Sequence, residues 1–285
     1  MSGARCSELS RAAGEPLAAT ATTATRWLAL EAPGSWPRDV AAGGVLIEQA
    51  HSTIAGWLAR TPGARLLFLR RPGTPPPRLR AFVVRAEERV AEVRRLELRS
   101  HADVAGLDLG RAGEDAGGGL VLVCGHGSRD ACCALRGTEV YGALSRHLGE
   151  EELWISSHHG GHRFAANVLV LPQGLHFGRV EPDAAPALVA AALAGRIDLA
   201  RYRGRTCYSP PVQAAERALR EEHGLVGVHD LSLIAVEGPL VRFRAEDGRE
   251  LAATVEELPG PAVPASCGKA PERQRRFQAR PVARP

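Results

Sequence analysis

Short apolar runs alternate with amphipathic stretches from about residue 26, a pattern typical of α/β proteins. Residues Val45–Arg60 carry apolar side chains at helical spacing and end before Thr61-Pro62-Gly63, so they predict an amphipathic helix. Short runs rich in Leu and Val around this helix predict strands at Trp27–Glu31, Ala64–Arg70, Leu79–Ala86 and Val93–Leu98.

A second unit with a similar succession of elements follows the glycine-rich residues 111–119. Its apolar runs predict strands at Leu120–Cys124, Glu152–Ser156, Asn167–Leu171 and Leu175–Val180. Its longer, alanine- and leucine-containing stretches predict helices at Gly137–Leu148 and Pro182–Gly195.

The two units match in sequence as well as in the order of their elements. The matching segments are residues 28–39 with 120–130, 51–60 with 138–148, and 64–73 with 151–161. Similar segments in the same order indicate an internal duplication. Where the second copy has Cys124, Cys133, His158 and His162, the first copy has neither cysteine nor histidine. A purely structural role for these four residues would not predict that contrast.

The chain after Tyr202 predicts a small α+β region. A helix is expected at Pro211–His223, with proline at its start and Gly224 after its end. Three short runs predict an antiparallel sheet of strands Leu231–Val236, Val241–Ala245 and Glu250–Val255. The arginine-rich tail Lys269–Pro285 is expected to be solvated and partly disordered rather than a phosphate-binding arm. We therefore expect three parts, residues 1–112, 113–200 and 201–285.

The composition excludes several classes of protein. Hydrophobic residues make up 45% and charged residues 24% of the 285 positions, which is ordinary for a soluble globular protein. A net charge of +4 with one lysine is a weak signal for nucleic acid, so no nucleic-acid partner is expected. The absence of a long apolar run or a signal-peptide pattern predicts a cytoplasmic protein without membrane contact.

The six cysteines suggest metal chemistry rather than a disulfide framework. Three of them lie within the ten residues Cys124–Cys133, in the sequence CGHGSRDACC. The others are scattered and are expected to be small buried or terminal residues: Cys6, Cys207 and Cys267. There is no Cys-x-x-Cys motif, which argues against a dithiol exchanger.

Cys124 and Cys133, with the histidines of SHHGGH (157–162), form the candidate site. Cys124 ends a predicted strand, and the glycines beside His158 and His162 favour a loop that wraps closely around a bound group. Thiolates and imidazoles suit zinc or an iron–sulfur cluster. The eight residues between the cysteines are a loose spacing for zinc and a workable one for a cluster, so both alternatives stay open at this point.

The two motifs resemble those of the sucrase/ferredoxin-like family. The resemblance rests on CGHGSRDACC and HHGGHRFAAN, and extends to RCSELSRAAGEPLAATA, YRGRTCYSPPVQAAE and SCGK, as in actinobacterial members. It implies a thioredoxin-like ferredoxin with a [2Fe–2S] cluster held by Cys124, Cys133, His158 and His162. Cys132 and His159 stand beside two of these ligands as alternatives, but the family spacing selects Cys133 and His158.

The resemblance and the duplication together imply an α/β fold of two tandem thioredoxin-like units, of which only the second holds a cluster. The implied function is one-electron transfer to an unidentified redox partner protein, and an electron carrier is favoured over a stand-alone enzyme. The alternatives are a zinc-binding structural or interaction module and a cluster-containing oxidoreductase of unknown substrate. His126, Arg129 and Asp130 are candidates for supporting the ligands, although Arg-Asp recurs at Arg38 and Asp39 in the copy without ligands.

Overall fold

The protein is described here by a computed structural model that covers residues 4–42, 44–73 and 77–282. In these residues one large mixed sheet has the strand order β10-β9-β8-β6-β7-β2-β1-β3-β4-β5. Its strands are β1 (Arg26–Glu31), β2 (Ala64–Arg70), β3 (Leu79–Ala86), β4 (Ala91–Leu98), β5 (Glu114–Asp115), β6 (Leu120–Cys124), β7 (Leu153–Ser156), β8 (Val168–Leu171), β9 (Leu175–Phe177) and β10 (Tyr202–Arg205).

Helices and a second sheet complete the described part of the chain. The helices are α1 (Cys6–Ala12), α2 (Glu48–Arg60), α3 (Ala131–Leu144), α4 (Ala185–Leu193) and α5 (Pro210–His223). The second, antiparallel sheet is formed in chain order by β11 (Leu231–Glu237), β12 (Leu240–Ala245), β13 (Glu250–Pro264) and β14 (Pro271–Val282). Helix α5 packs on β13 and β14. None of the helices in the described ranges is both long and apolar enough to cross a membrane.

The same strand pairing occurs twice in the large sheet. Strand β1 is parallel to β2 and antiparallel to β3, which pairs with β4. Strand β6 is likewise parallel to β7 and antiparallel to β8, which pairs with β9. The two sets join where Leu69 pairs with Ser156 and Arg70 with Ile155. Because β2 and β7 overlap only at their carboxyl ends, the loops that follow β1, β6 and β7 meet near the centre of the sheet.

Strand β6 lies inside the large sheet between β8 and β7, and all five of its residues are buried. Val121 and Val123 face a core that includes Val140 of α3, whereas Leu122 faces the opposite core with Trp154. Alternating side chains therefore bury both faces of the strand, as expected for a strand covered on both sides. Burial of each such side chain contributes about 1.5–3 kcal/mol to the stability of the fold. Cys124, at the end of this strand, therefore has a well-defined position.

Two sequence predictions are wrong. The helix predicted at Gly137–Leu148 begins six residues earlier, at Ala131, because the carboxylate of Asp130 accepts the Cys132 backbone N–H and caps it. The basic tail is largely ordered, since β14 pairs along β13. The last three residues of the predicted tail, 283–285, lie outside the described residues.

Most other predicted elements agree with the structure to within about three residues. The α/β class is confirmed, as is a separate antiparallel sheet after residue 202. The boundaries at 112/113 and 200/201 stay predictions. The large sheet is continuous across the first of them, and β10 adds to its edge after the second.

Candidate metal centre

Two cysteines and one histidine meet at the carboxyl end of β6. Cys124 is the last residue of this strand, and Cys133 lies in the first turn of α3. The Nδ1 atom of His158 lies 3.7 Å from the Cys124 sulfur and 3.8 Å from the Cys133 sulfur. Helix α3 can approach the strand because residue 137 is glycine: a Cβ atom there would collide with the carbonyl oxygen of Cys124.

His162 lies beside this group of donors. Its ring centroid is 4.7 Å from that of His158, and the two rings are tilted by 32°. The ring is 9% exposed, and its Nδ1 atom is buried without a hydrogen-bond partner among the described residues. Burial, and then the neighbouring His158, lower the pKa of His162 to about 4, so its imidazole is neutral at pH 7. A neutral imidazole with an unused nitrogen is suited to bind a metal.

The two thiols of the centre shift each other's pKa in opposite directions. The Cys133 thiol and then His158 hydrogen-bond to the Cys124 sulfur and lower the pKa of Cys124 despite its burial. The same interaction with Cys124, together with burial, raises the pKa of Cys133. These shifts favour a thiolate at Cys124. Thiolates are the form of cysteine that binds metals.

A buried arginine holds the histidine loop in place. Arg203 of β10 is 1% exposed and donates to the Gly160 carbonyl at 3.0 Å and to the Asn167 side-chain oxygen at 2.8 Å. It also donates to the carbonyl of Thr20. Burial is the main reason that the pKa of Arg203 falls to about 9, which still leaves it protonated at pH 7. Negative charge on the Cys124 and Cys133 sulfurs raises the pKa of Arg203, so the arginine and the thiolates stabilise each other.

Gly161 is required next to this arginine. Its φ of +71° lies in the left-handed region, and a Cβ atom at this position would collide with the guanidinium of Arg203. The Asn167 amide donates to the Gly161 carbonyl at 2.9 Å. The loop therefore reaches its conformation only with glycine at this position and with both polar neighbours present.

His126 and Arg129 support the loop and do not join the thiols. His126 Nδ1 accepts the His158 backbone N–H at 3.1 Å, and its Nε2 donates to the Pro37 carbonyl at 2.9 Å. Burial is the main cause that lowers the pKa of His126, so both hydrogen bonds are compatible with one neutral tautomer. Arg129 donates to the Arg38 carbonyl at 3.3 Å. These contacts join the loop after β6 to its counterpart after β1.

The two alternative ligands, His159 and Cys132, point elsewhere. His159 is fully buried, and its Nδ1 lies 3.0 Å from Nε2 of His176. The Cys132 sulfur lies 3.4 Å from that of Cys267, in a second group of thiols around Asp130. The structure thus brings Cys124, Cys133 and His158 together with the ring of His162 beside them, and separates both alternatives from that group.

A basic cleft opens beside the half-buried His158. It has a volume of about 410 Å³, and its walls include the side chains of Arg38, Arg65 and Arg129. Burial is the main cause that lowers the pKa of Arg65, and the nearby Arg129 lowers it further. The route from the donors to solvent is therefore lined by positive charge.

Sequence reasoning did not single out Arg203, although it lies in the stretch YRGRTCYSPP that carries part of the family resemblance. It also left Cys6 and Cys267 as scattered residues. The sequence signal that could have identified these three residues is that each lies in a segment that carries the family resemblance outside the two main motifs. Their roles depend on contacts between segments that are distant along the chain.

Comparisons with known proteins agree with the motif. The curated relatives include altered inheritance of mitochondria protein 32 of Eremothecium gossypii, 40% identical over 99 residues, which are 30% of this chain and 32% of the relative. The protein of the same name from Meyerozyma guilliermondii is 34% identical over 95 residues, 30% of this chain and 34% of the relative. The chain thus spans about a third of the length of the curated relatives it matches. No solved structure matches it.

The sequence model of one protein family matches a much larger part of the chain than these relatives do. The match extends over residues 17–204 and includes β1 to β9, most of β10, Cys124, Cys133 and the histidine loop. On this match, over about two thirds of its length, the chain belongs to the sucrase/ferredoxin-like family.

Proposed function

We propose that this protein transfers single electrons through a [2Fe–2S] cluster held by Cys124, Cys133, His158 and His162. The observation that carries the proposal is the convergence of two thiols and the His158 nitrogen, with the buried, unpartnered nitrogen of His162 beside them. This donor set suits mixed sulfur and nitrogen ligation. The family membership supports the same assignment.

A bound [2Fe–2S] cluster supplies one-electron redox chemistry, and histidine ligands raise its potential above that of an all-cysteine cluster. The chain contributes the surroundings. Cys124 and Cys133 are at most 1% exposed, so solvent is kept from the sulfurs. The buried charge of Arg203 favours added negative charge at the centre. His158, which borders the cleft, offers the path toward a partner.

A zinc-binding structural or interaction module is the second candidate. It is favoured by the short distances between the His158 nitrogen and the two sulfurs, which a single tetrahedral ion could also span. A third candidate, an oxidoreductase with an unidentified substrate, would place that substrate in the basic cleft. We rank the zinc module below the carrier because the family match favours a ferredoxin-like centre. We rank the oxidoreductase below the carrier because the residues that line the cleft do not identify a substrate.

The fold units, the location and the partner are also proposals. The repeated strand order supports two tandem thioredoxin-like units, of which the second holds the cluster. A cytoplasmic location and a protein redox partner, both expected from the sequence, are proposed as well. Neither nucleic acid nor a membrane is part of the proposal.

The deciding experiment is analysis of protein purified without oxygen. We expect about two iron and two labile sulfide per chain, visible charge-transfer bands, and an electron paramagnetic resonance signal with average g below 2 after dithionite reduction. Cys124→Ser should abolish all three signals. Cys207→Ser, the matched control for removing a cysteine, should keep them because Cys207 belongs to neither group of thiols.

A colourless wild-type protein whose zinc content falls by one per chain in Cys124→Ser would overturn the redox assignment and establish the structural alternative. The comparison between wild type and variant is essential because the second group of thiols, around Asp130, is a further candidate metal site.

A further inference from the structure

A second group of metal-binding side chains lies apart from the candidate centre. The sulfurs of Cys6, Cys132 and Cys267 form a triangle with sides of 3.6, 3.4 and 3.6 Å. Asp130 Oδ1 lies 3.7 Å from the Cys6 sulfur and 3.2 Å from the Cys267 sulfur. All four donor atoms lie within 4.8 Å of one another. They come from α1, the start of α3 and the turn between β13 and β14.

The distances do not describe disulfide chemistry. A disulfide has a sulfur–sulfur distance of about 2.05 Å, and each sulfur can have only one such partner. Here three sulfurs are nearly equidistant, and all three cysteines are free. Hydrophobic packing alone gives no reason to bring a carboxylate into the same group, because a buried charge is costly unless it is paired.

The distances do describe a tetrahedral ion site. For zinc, with Zn–S of about 2.3 Å and Zn–O of about 2.0–2.2 Å, tetrahedral geometry requires S···S edges of about 3.8 Å and S···O edges of about 3.5 Å. Five of the six edges lie within about 0.4 Å of these values, and the sixth, between the Asp130 carboxylate and the Cys132 sulfur, is at most 4.8 Å. A polynuclear cluster needs its cysteine ligands farther apart, so a single ion is the better match. We propose that Cys6, Cys132, Cys267 and Asp130 bind one zinc ion.

The surroundings of the carboxylate orient it for this role. Asp130 Oδ2 accepts the Ser266 hydroxyl at 2.9 Å and the Cys267 backbone N–H at 2.8 Å. Both carboxylate oxygens lie 3.7 Å from the Cys6 sulfur, and Oδ1 lies 3.2 Å from the Cys267 sulfur. Burial would raise the pKa of Asp130, but these donors and the Cys132 N–H lower it to about 2. Ser7 donates to the Cys132 sulfur at 3.2 Å. Such contacts around the ligands are typical of metal sites.

The ion would join three segments that are far apart in sequence, residues 6, 130–132 and 267. All four donors are protein side chains, which is typical of closed, structural zinc sites. The same turn carries Ala265, whose backbone lies near His162 and partly opposes the lowering of its pKa. The zinc would therefore hold the β13–β14 turn over the buried histidine of the candidate centre. The zinc site itself does not depend on what that centre binds.

The test separates the two centres. In the double variant Cys124→Ser/Cys133→Ser, we expect one zinc per chain and no iron. X-ray absorption at the zinc edge should show three sulfur ligands and one oxygen. Co²⁺ added to this variant after chelation should give the intense visible bands of a tetrahedral thiolate site. Adding Cys267→Ser, at the half-buried turn, should remove the zinc and these bands, whereas adding Cys207→Ser should not.

Two results would overturn the proposal. One is a double variant, soluble and folded by circular dichroism, that contains no zinc and binds no Co²⁺ under reducing conditions. The other is a disulfide among these cysteines, found by thiol counting and mass spectrometry of protein purified with reductant. Because the first measurements leave all four proposed zinc ligands intact, they remain decisive even where a ligand substitution prevents folding. Absence of iron from the wild-type protein would contradict the proposed redox function and leave the zinc proposal standing.

Discussion

At the scale of single residues, the adjacent cysteines of α3 have different surroundings. Successive residues on a helix are about 100° apart, so Cys132 and Cys133 cannot face the same group. Cys133 faces Cys124 and His158, whereas Cys132 faces Cys6 and Cys267. Sequence spacing alone left open whether one could replace the other. Their directions on the helix argue that each serves its own site.

Serine substitutions at the two positions should therefore have opposite effects. Cys133→Ser is expected to reduce iron to background and keep one zinc per chain. Cys132→Ser is expected to keep the iron and lose the zinc. Both metals can be measured by plasma mass spectrometry on the same samples. Loss of iron in Cys132→Ser with retention in Cys133→Ser would reverse the ligand assignment.

Arg203 is the other single residue on which the site depends, because its hydrogen bonds hold the histidine loop. Its removal takes the donor from a buried oxygen of Asn167 and from part-buried oxygens of Thr20 and Gly160. Each unsatisfied buried group costs about 1–3 kcal/mol, so Arg203→Gln should lower the free energy of unfolding by about 2–4 kcal/mol. Urea unfolding followed by circular dichroism measures this difference.

The matched control for this prediction is Arg201→Gln, which removes a partly exposed ion pair with Asp198. A change of less than about 1 kcal/mol is expected there. Equal losses for the two variants would mean that Arg203 does not anchor the histidine loop.

At the scale of elements, the Asp130 helix cap and the β13–β14 hairpin explain why two sequence predictions, the start of α3 and the disordered tail, are wrong. The sequence pattern predicted a helix that starts at Gly137, yet this glycine lies inside α3 and lets the helix approach the end of β6. The true start lies at the Asp130 cap. The basic tail lacks an apolar pattern because β14 is an edge strand with few buried residues, so its order comes from pairing with β13.

The histidine loop permits a direct test of backbone conformation. Gly161→Ala places a side chain at a positive φ and against Arg203, so it should destabilise the protein by about 1–3 kcal/mol and lower iron content. Gly142→Ala in α3 meets no atom within 4 Å and should stabilise the protein by about 0.5 kcal/mol. Thermal unfolding and iron analysis of both variants check this. A tolerated Gly161→Ala would show that the loop is less constrained than the contacts indicate.

At the scale of the whole molecule, charge decides what can approach His158. The cleft beside it contains Arg38, Arg65 and Arg129, with Asp39 as the acidic residue of its lining. A cleft of one sign attracts oppositely charged molecules, and salt weakens the attraction. An acidic partner surface is therefore expected to dock here.

Small redox probes test this expectation without the partner. The reduced protein should be oxidised by ferricyanide at a rate that falls as salt is added, and by a cationic cobalt(III) complex at a rate that rises. Arg129→Gln should weaken both salt effects. Arg146→Gln, an exposed arginine beyond the far end of α3, is the control and should alter them less. Rates that do not depend on the sign of the probe would rule out steering by the cleft.

The sequence by itself determined the α/β class, most strand positions and the family, because buried apolar runs and the closely spaced motif residues are local signals. It also placed Cys124, Cys133, His158 and His162 in one candidate set before any contact was known. Only the tertiary structure separated Cys132 from Cys133 and gathered Cys6, Asp130 and Cys267 beside it. Those residues lie more than 120 positions apart along the chain, and no local pattern records a contact that forms only when distant segments pack together.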